Sequence, residues 1–121
     1  MKSKWISYKE KQVLYADYAD FGNDHEALEI EVDAITDILL GGPDKSVLLL
    51  VDVRNTVGSS EATDCLKKSA LKVKEKVHKT AVVGVEGYRK ILLRAVSAFS
   101  GMDLTPVDDP DEAKEWLVRE T

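Results

Sequence analysis

The chain is poor in the residues that cross-link, ligate metals or fix turns. Of its 121 residues, one is cysteine, two are histidine, three are proline and two are phenylalanine. A single cysteine, Cys65, excludes an intrachain disulfide, so nothing points to a secreted, cross-linked scaffold. His25, Cys65 and His78 are scattered without metal-ligand spacing, and neither a metal nor a cofactor is expected. Long hydrophobic runs are also missing. The longest, Val47–Val51, falls far short of the roughly 20 apolar residues of a membrane-spanning helix. The start, Met1-Lys2-Ser3-Lys4-Trp5, is charged and lacks the apolar segment of a secretory leader, so cytoplasm is the expected compartment.

What is present is an ordinary globular composition, 44% hydrophobic and 32% charged. A chain of this length fits one domain, 1–121, which can bury roughly two thirds of its unfolded surface. The net charge of −5 argues against general nucleic-acid binding. Its distribution is uneven. From Lys67 to Arg94 nine basic residues face only Glu75 and Glu86. Two lysine-rich helices with solvated outer faces explain this, and so does an anion-attracting patch for an acidic partner, a phosphate or a membrane surface.

Two β-prone segments, Trp5–Tyr8 and Gln12–Tyr18, flank Lys9-Glu10-Lys11 and read as a hairpin, although its turn lacks an Asn-Gly type signal. Asn23 or Asp24 can cap a helix from Ala27 to Leu40, with Glu26 suitably placed for a capping box on Asn23. Leu28, Val32, Ile35 and Leu39, flanked by Ile30, Ile38 and Leu40, form its broad apolar face. Gly41-Gly42-Pro43 ends it. Ser46–Val53 is a strand apolar enough to be covered on both faces. After the loop Arg54–Ser60, a helix starts near Glu61 with Ala62, Cys65, Leu66, Ala70, Val73 and Val77 on one stripe, placing His78 at its C-terminal end. Thr80–Val85 is a second buried strand. Tyr88, Ile91, Leu92, Ala95, Val96 and Phe99 then keep helical spacing as far as Ser100-Gly101. Leu104–Val107 is a short strand, and Asp109-Pro110-Asp111-Glu112 opens a last helix with Ala113, Trp116 and Leu117 facing inward. The order ββαβαβαβα implies an α/β fold with a mostly parallel sheet and right-handed crossovers.

Three groups of residues are candidates for function. Ser59 and Ser60 precede a helix, where serine serves as a cap and where a phosphate would add negative charge beside Glu61 and Asp64. Asp52, Arg54 and Asn55 follow a central strand, the end at which open α/β sheets hold ligands, and they equally suit turn chemistry. Tyr88, Arg89, Ile91, Leu92 and Phe99 can line an apolar cavity, or their apolar members can simply be core. Gly84-Val85-Glu86-Gly87 lacks the Lys-Ser/Thr ending of a phosphate loop. Cys65 reads as an inert, buried thiol. No nucleophile, base and orienting residue stand at recognisable spacing, so a non-enzymatic module is expected.

The element order, together with LLLVDVRN, TAVVGVEGYRKILLRAVSAFSGM and PVDDPDEAKEWL, resembles the STAS domains, and in particular the bacterial SpoIIAA-like branch, which is related in fold to the CRAL-TRIO lipid-binding domains. The resemblance covers nearly the whole chain. It implies a four- or five-stranded mixed sheet with helices mostly on one side. It also implies regulatory work through protein contacts, a homodimer among them, with the second helix and the loop Arg54–Ser60 as contact surface; the alternative is a carrier of a lipid-like or other hydrophobic molecule held between sheet and helices. STAS antagonists carry a phosphorylatable serine within Asp-Ser-Ser-Gly. Here Gly58-Ser59-Ser60-Glu61 keeps the serines and lacks both the aspartate and the following glycine.

Overall fold

The computed structural model describes residues 1–119. Strands β1 (Lys4–Tyr8) and β2 (Lys11–Asp17) form the expected antiparallel hairpin. Its turn is made by Lys9 and Glu10, at φ 48° and 68°. Two consecutive left-handed residues make a tight turn whose twist matches the strands. Lysine and glutamate pay a steric cost there that glycine would not, which is why no composition signal marked it.

The remaining elements alternate: α1 (His25–Leu40), β3 (Val47–Asp52), α2 (Ser60–Val73), β4 (Val77–Val83), α3 (Arg89–Ser100), β5 (Thr105–Val107) and α4 (Pro110–Val118). The five-stranded sheet runs in sequence order, β1-β2-β3-β4-β5, and is parallel from β2 onward. Each right-handed crossover moves one strand further in the same direction, so α1, α2 and α3 all land on one face. Their buried residues Leu28, Ile35, Ala62, Ala70 and Val96 join Leu14 and Leu49 of the sheet. Helix α4 covers the other face, where Ala113 and Leu117 meet Val13, Leu50, Ala81 and Val83. The central strands are thus covered on both sides, as the run through Leu48, Leu49 and Leu50 implied.

Helix ends follow local chemistry. Asp24, not Asn23, caps α1: its Oδ1 accepts the Ala27 N–H at 3.1 Å. Asp109 caps α4 through the Glu112 N–H at 2.9 Å, with Pro110 in the first turn. The broad apolar face expected for α1 is narrower than its composition, since Ile30 and Leu40 are exposed. In its place α1 buries Glu31, whose carboxylate accepts the N–H groups of Lys2 and Ser3 at 3.1 and 2.8 Å and ties the N-terminus to the helix. Burial would raise the Glu31 pKa, but the Ser3 and Lys2 hydrogen bonds outweigh it and leave the group below its ordinary value.

Two expected boundaries move. Helix α2 ends at Val73, and Lys74-Glu75-Lys76 turns the chain, so Val77 and His78 open β4 instead of closing the helix. Val73 and Val77 are four apart, a spacing that suits a helix face as well as a helix and the strand after it. Strand β4 then ends at Val83, two residues before Val85.

Candidate functional site

The short side chains on the inner face of α2 explain the main feature of this domain. Where α1 offers Leu28, Ile35 and Leu39, the buried residues of α2 are Ala62, Thr63, Ala70 and Val73. Helix α3 does not fill the space: only Val96 and Ser100 of its residues are buried, and Leu92 and Leu93 are partly exposed. Between the sheet and the three helices lies a cavity of about 120 Å³. Leu49, Val51, Val53 and Val82 form its sheet wall, and α1, α2 and α3 form its roof. A cavity of this order takes a single aromatic ring, or the inner part of an alkyl chain whose other end lies in the open mouth. The exposed lining residue Val57 marks its mouth, beside Gly58, Val85 and Arg89, outside the carboxyl ends of β3 and β4. That is where parallel sheets hold ligands. A β-carbon at Gly58 would lie 2.3 Å from Leu92 Cδ1, so any larger residue there would have to push the end of the Leu92 side chain aside.

Two polar atoms in this lining are unpaired. Thr80 is only 2% exposed and its Oγ1 has no hydrogen-bond partner; the Nε of Arg89 is equally buried and unpartnered. A buried hydroxyl without a partner costs about 1–3 kcal/mol. We therefore expect Thr80→Val, which keeps shape and β-branching, to stabilise the empty protein by about 1 kcal/mol in urea unfolding. A destabilised variant would mean that the hydroxyl is satisfied.

Arg89, the first residue of α3, is tied to the mouth by Nη2, which donates to the Thr56 carbonyl at 2.9 Å. Thr56 is itself buried. Its hydroxyl donates to the Tyr18 carbonyl at 2.6 Å and accepts the Phe21 N–H at 3.2 Å, locking the loop after β3 to the loop after β2. The Gly58 N–H donates to the Tyr88 hydroxyl at 3.3 Å, so Tyr88 stands at the rim, half exposed. Of the residues expected to line a cavity, Arg89 and Leu92 do so; Ile91 and Phe99 point outward and are exposed.

Asp52, Arg54 and Asn55 lie elsewhere. Asp52 pairs in register with Asp17 and Val83 and is fully buried on the α4 side. Its Oδ1 accepts from the Arg54 backbone N–H at 3.1 Å and from Nε at 3.0 Å; its Oδ2 accepts from Arg54 Nη2 and the Tyr15 hydroxyl, both at 2.7 Å. Burial pushes the Asp52 pKa up, and these bonds more than reverse it, so the carboxylate stays ionised. Asn55 adopts φ 59° and donates to Asp20 Oδ1 at 2.8 Å. The five candidate binding residues therefore fall into two groups, Tyr88 and Arg89 at the cavity and Asp52, Arg54 and Asn55 in a turn away from it. Ser59 caps α2 by accepting the Ala62 N–H at 3.1 Å, and Ser60 is exposed as the first helical residue. Burial, with Glu29 and Asp33 nearby, pushes the Cys65 thiol up to about 11, so it is protonated at neutral pH.

Six of the nine basic residues between Lys67 and Arg94 lie on the neighbouring helices α2 and α3: Lys67, Lys68, Lys72, Arg89, Lys90 and Arg94. Lys79 donates to the Trp116 carbonyl at 2.6 Å and stacks on its ring on the α4 side, whereas Lys67 lies over Phe99 between α2 and α3. Sequence reasoning missed Thr56 and Thr80. The signal for Thr80 was a hydroxyl at the head of the apolar run Ala81–Val83. Among the described residues, no helix is long and apolar enough to cross a membrane.

No family model and no curated protein matches the sequence. A solved structure does match: the crystal structure of an uncharacterized DUF3478-family protein with a SpoIIAA-like fold from Shewanella loihica PV-4. It superposes with a TM-score of 0.68 over 95% of this chain and 91% of that one, at 17% identity. With its mixed five-stranded sheet, its order ββαβαβαβα and three of its four helices on one face, the chain has a SpoIIAA-like fold.

Proposed function

We propose that this domain is a non-enzymatic binder of a small, largely apolar molecule, held between the sheet and helices α1, α2 and α3. The cavity carries this reading: it is lined almost wholly by aliphatic side chains and opens at the strand ends. An empty apolar void of this size forfeits packing that larger side chains on α2 would recover. Occupation by a ligand restores those contacts.

Octanol is a suitable first probe. At a hundred times its dissociation constant, a ligand that binds only the folded state adds about 2.7 kcal/mol of stability. We expect octanol to raise the melting temperature of the wild type. Val82→Phe, which places a ring into the cavity from a nearly buried strand position, is expected to remove that response while remaining folded. Native mass spectrometry of freshly purified protein would show a co-purifying molecule. No octanol response in the wild type, or an equal response in Val82→Phe, overturns the reading.

Contact with another protein is a second reading, favoured by the outward face of α3. Ile91 and Phe99 are exposed on that helix, as are Tyr88 at its start and Val57 in the loop before α2. The capped start of α2, with exposed Ser60, borders the same loop. Sedimentation over a range of concentrations, comparing wild type with Ile91→Glu, tests whether this face joins two copies of the chain.

A further inference from the structure

Resting on the cavity reading above, we infer that the ligand carries a carboxylate, received by Arg89 at the mouth. Arg89 is the one charged residue among those lining the cavity; the others are aliphatic, small or hydroxyl-bearing. A guanidinium is rarely placed against an apolar void unless an anion completes it, because its N–H groups lose water and gain nothing. Here one nitrogen, Nη2, is held by the Thr56 carbonyl at 2.9 Å. The Tyr88 ring lies 5.9 Å from the guanidinium carbon. The Nε–H is buried and unpaired. Among the described residues, no carboxylate is paired with Arg89.

The geometry selects the kind of anion. The Nε–Nη2 edge of the guanidinium is a fork of two donors; its Nε–H is unpaired, and the Thr56 bond takes one of the two Nη2 hydrogens. A carboxylate fits that fork with both oxygens. A phosphate monoester would bring nearly two charges to a single cation, with no lysine among the lining residues to share them. The aliphatic body would then run inward along β4 over Val82 toward Thr80, whose free hydroxyl offers a second, neutral point of contact. Thr80 lies three residues before the end of β4, about 10 Å along the strand. The ligand class is therefore a short- to medium-chain monocarboxylate.

The contrast between the Arg54 and Arg89 guanidinium groups supports this assignment. Arg54 is saturated by the Asp52 carboxylate through Nε and Nη2, in the fork arrangement that Arg89 leaves open. The fold thus supplies an internal carboxylate to one arginine and withholds it from the other, and only the second faces the cavity.

Octanoate and octanol have apolar bodies of similar length and differ in the head group, so the ratio of their affinities reads the role of Arg89. Affinities are measured by displacement of a fluorescent apolar probe from wild type, Arg89→Met and Arg89→Lys, with thermal melts confirming that each variant is folded. The wild type is expected to prefer octanoate by about ten- to a hundredfold, the range of a charge-assisted hydrogen-bonded contact. Arg89→Met is expected to bring the ratio close to one, and Arg89→Lys to leave it in between, since lysine keeps the charge and loses the fork. If Arg89→Met does not fold, the wild-type and Arg89→Lys ratios decide the matter. Equal affinity of the wild type for both compounds overturns the carboxylate while leaving the apolar cavity reading intact, and so does a preference that survives in Arg89→Met. Binding of neither compound overturns both.

Discussion

Replacing Leu50 with alanine will remove about 3–4 kcal/mol of unfolding free energy, a large share of the 5–15 kcal/mol that holds a domain of this kind together. Leu50 is fully buried at the centre of β3, paired in register with Tyr15 of β2 and Ala81 of β4. Its side chain faces α4, where Val13, Ala81, Ala113 and Leu117 close around it. That layer rests on one nine-residue helix against a central strand, and strands on both sides hold the backbone, so the site cannot collapse around the missing atoms. The lost transfer energy and the new cavity therefore both count. Leu92→Ala makes the control. Leu92 borders the existing cavity and is partly exposed, so the same change of side chain should cost about 1 kcal/mol or less. Urea unfolding reads both, as a fall in midpoint at constant slope. Equal losses at the two positions would mean that the two layers are packed alike.

Asp52→Asn should cost about 2 kcal/mol at neutral pH, and the cost should fade in acid. The aspartate is fully buried, yet hydrogen bonds from the Arg54 backbone and side chain and from the Tyr15 hydroxyl keep it ionised. Asparagine offers only one acceptor oxygen and presents an N–H₂ to donors. Half of the Arg54 side chain is exposed, so the freed guanidinium can turn to water, which places the loss below that of a fully buried pair. The pH dependence follows from the direction of the shift. The folded-state pKa of Asp52 lies below its ordinary value, so the unfolded chain takes up the proton first as pH falls. The stabilisation is complete above the unfolded carboxylate range, near pH 4, and is lost as pH drops through the lower folded value. The gap between wild type and Asp52→Asn in urea unfolding should therefore begin to narrow as pH falls below the unfolded carboxylate range and close only below the lower folded-state value. A gap between them that is constant from neutral pH into acid would show that charge contributes nothing.

Much of the fold could be read from spacing. Leu28, Val32, Ile35 and Leu39 recur at helical intervals and face the core. Gly41-Gly42-Pro43 and Asp109-Pro110 stop and start helices through backbone chemistry that acts over a few residues. The errors fell where two periodicities agree. Val77 continues the α2 stripe and also begins β4, and only pairing with Val47 across the sheet resolves which applies. The hairpin was legible from its two flanking strands and not from its turn: Lys9 and Glu10 take a left-handed conformation that neighbouring strands impose and neither residue prefers.

The candidate site was legible as residues and not as a place. Arg89 and Tyr88 were singled out, and so were Asp52, Arg54 and Asn55, but the face each occupies depends on strand parity and on how the loops cross the sheet ends. Local chemistry, set by propensity, capping and hydrophobic period, determined the order of elements, and the right-handed crossover rule then determined that three helices share one side. Tertiary structure alone decided that Asp52 completes Arg54 while Arg89 is left open, and that small residues on α2 meet a loosely seated α3 over an unfilled space. A void is the difference between a volume enclosed by many elements and the volume of the side chains inside it, and no local stretch of sequence contains both quantities.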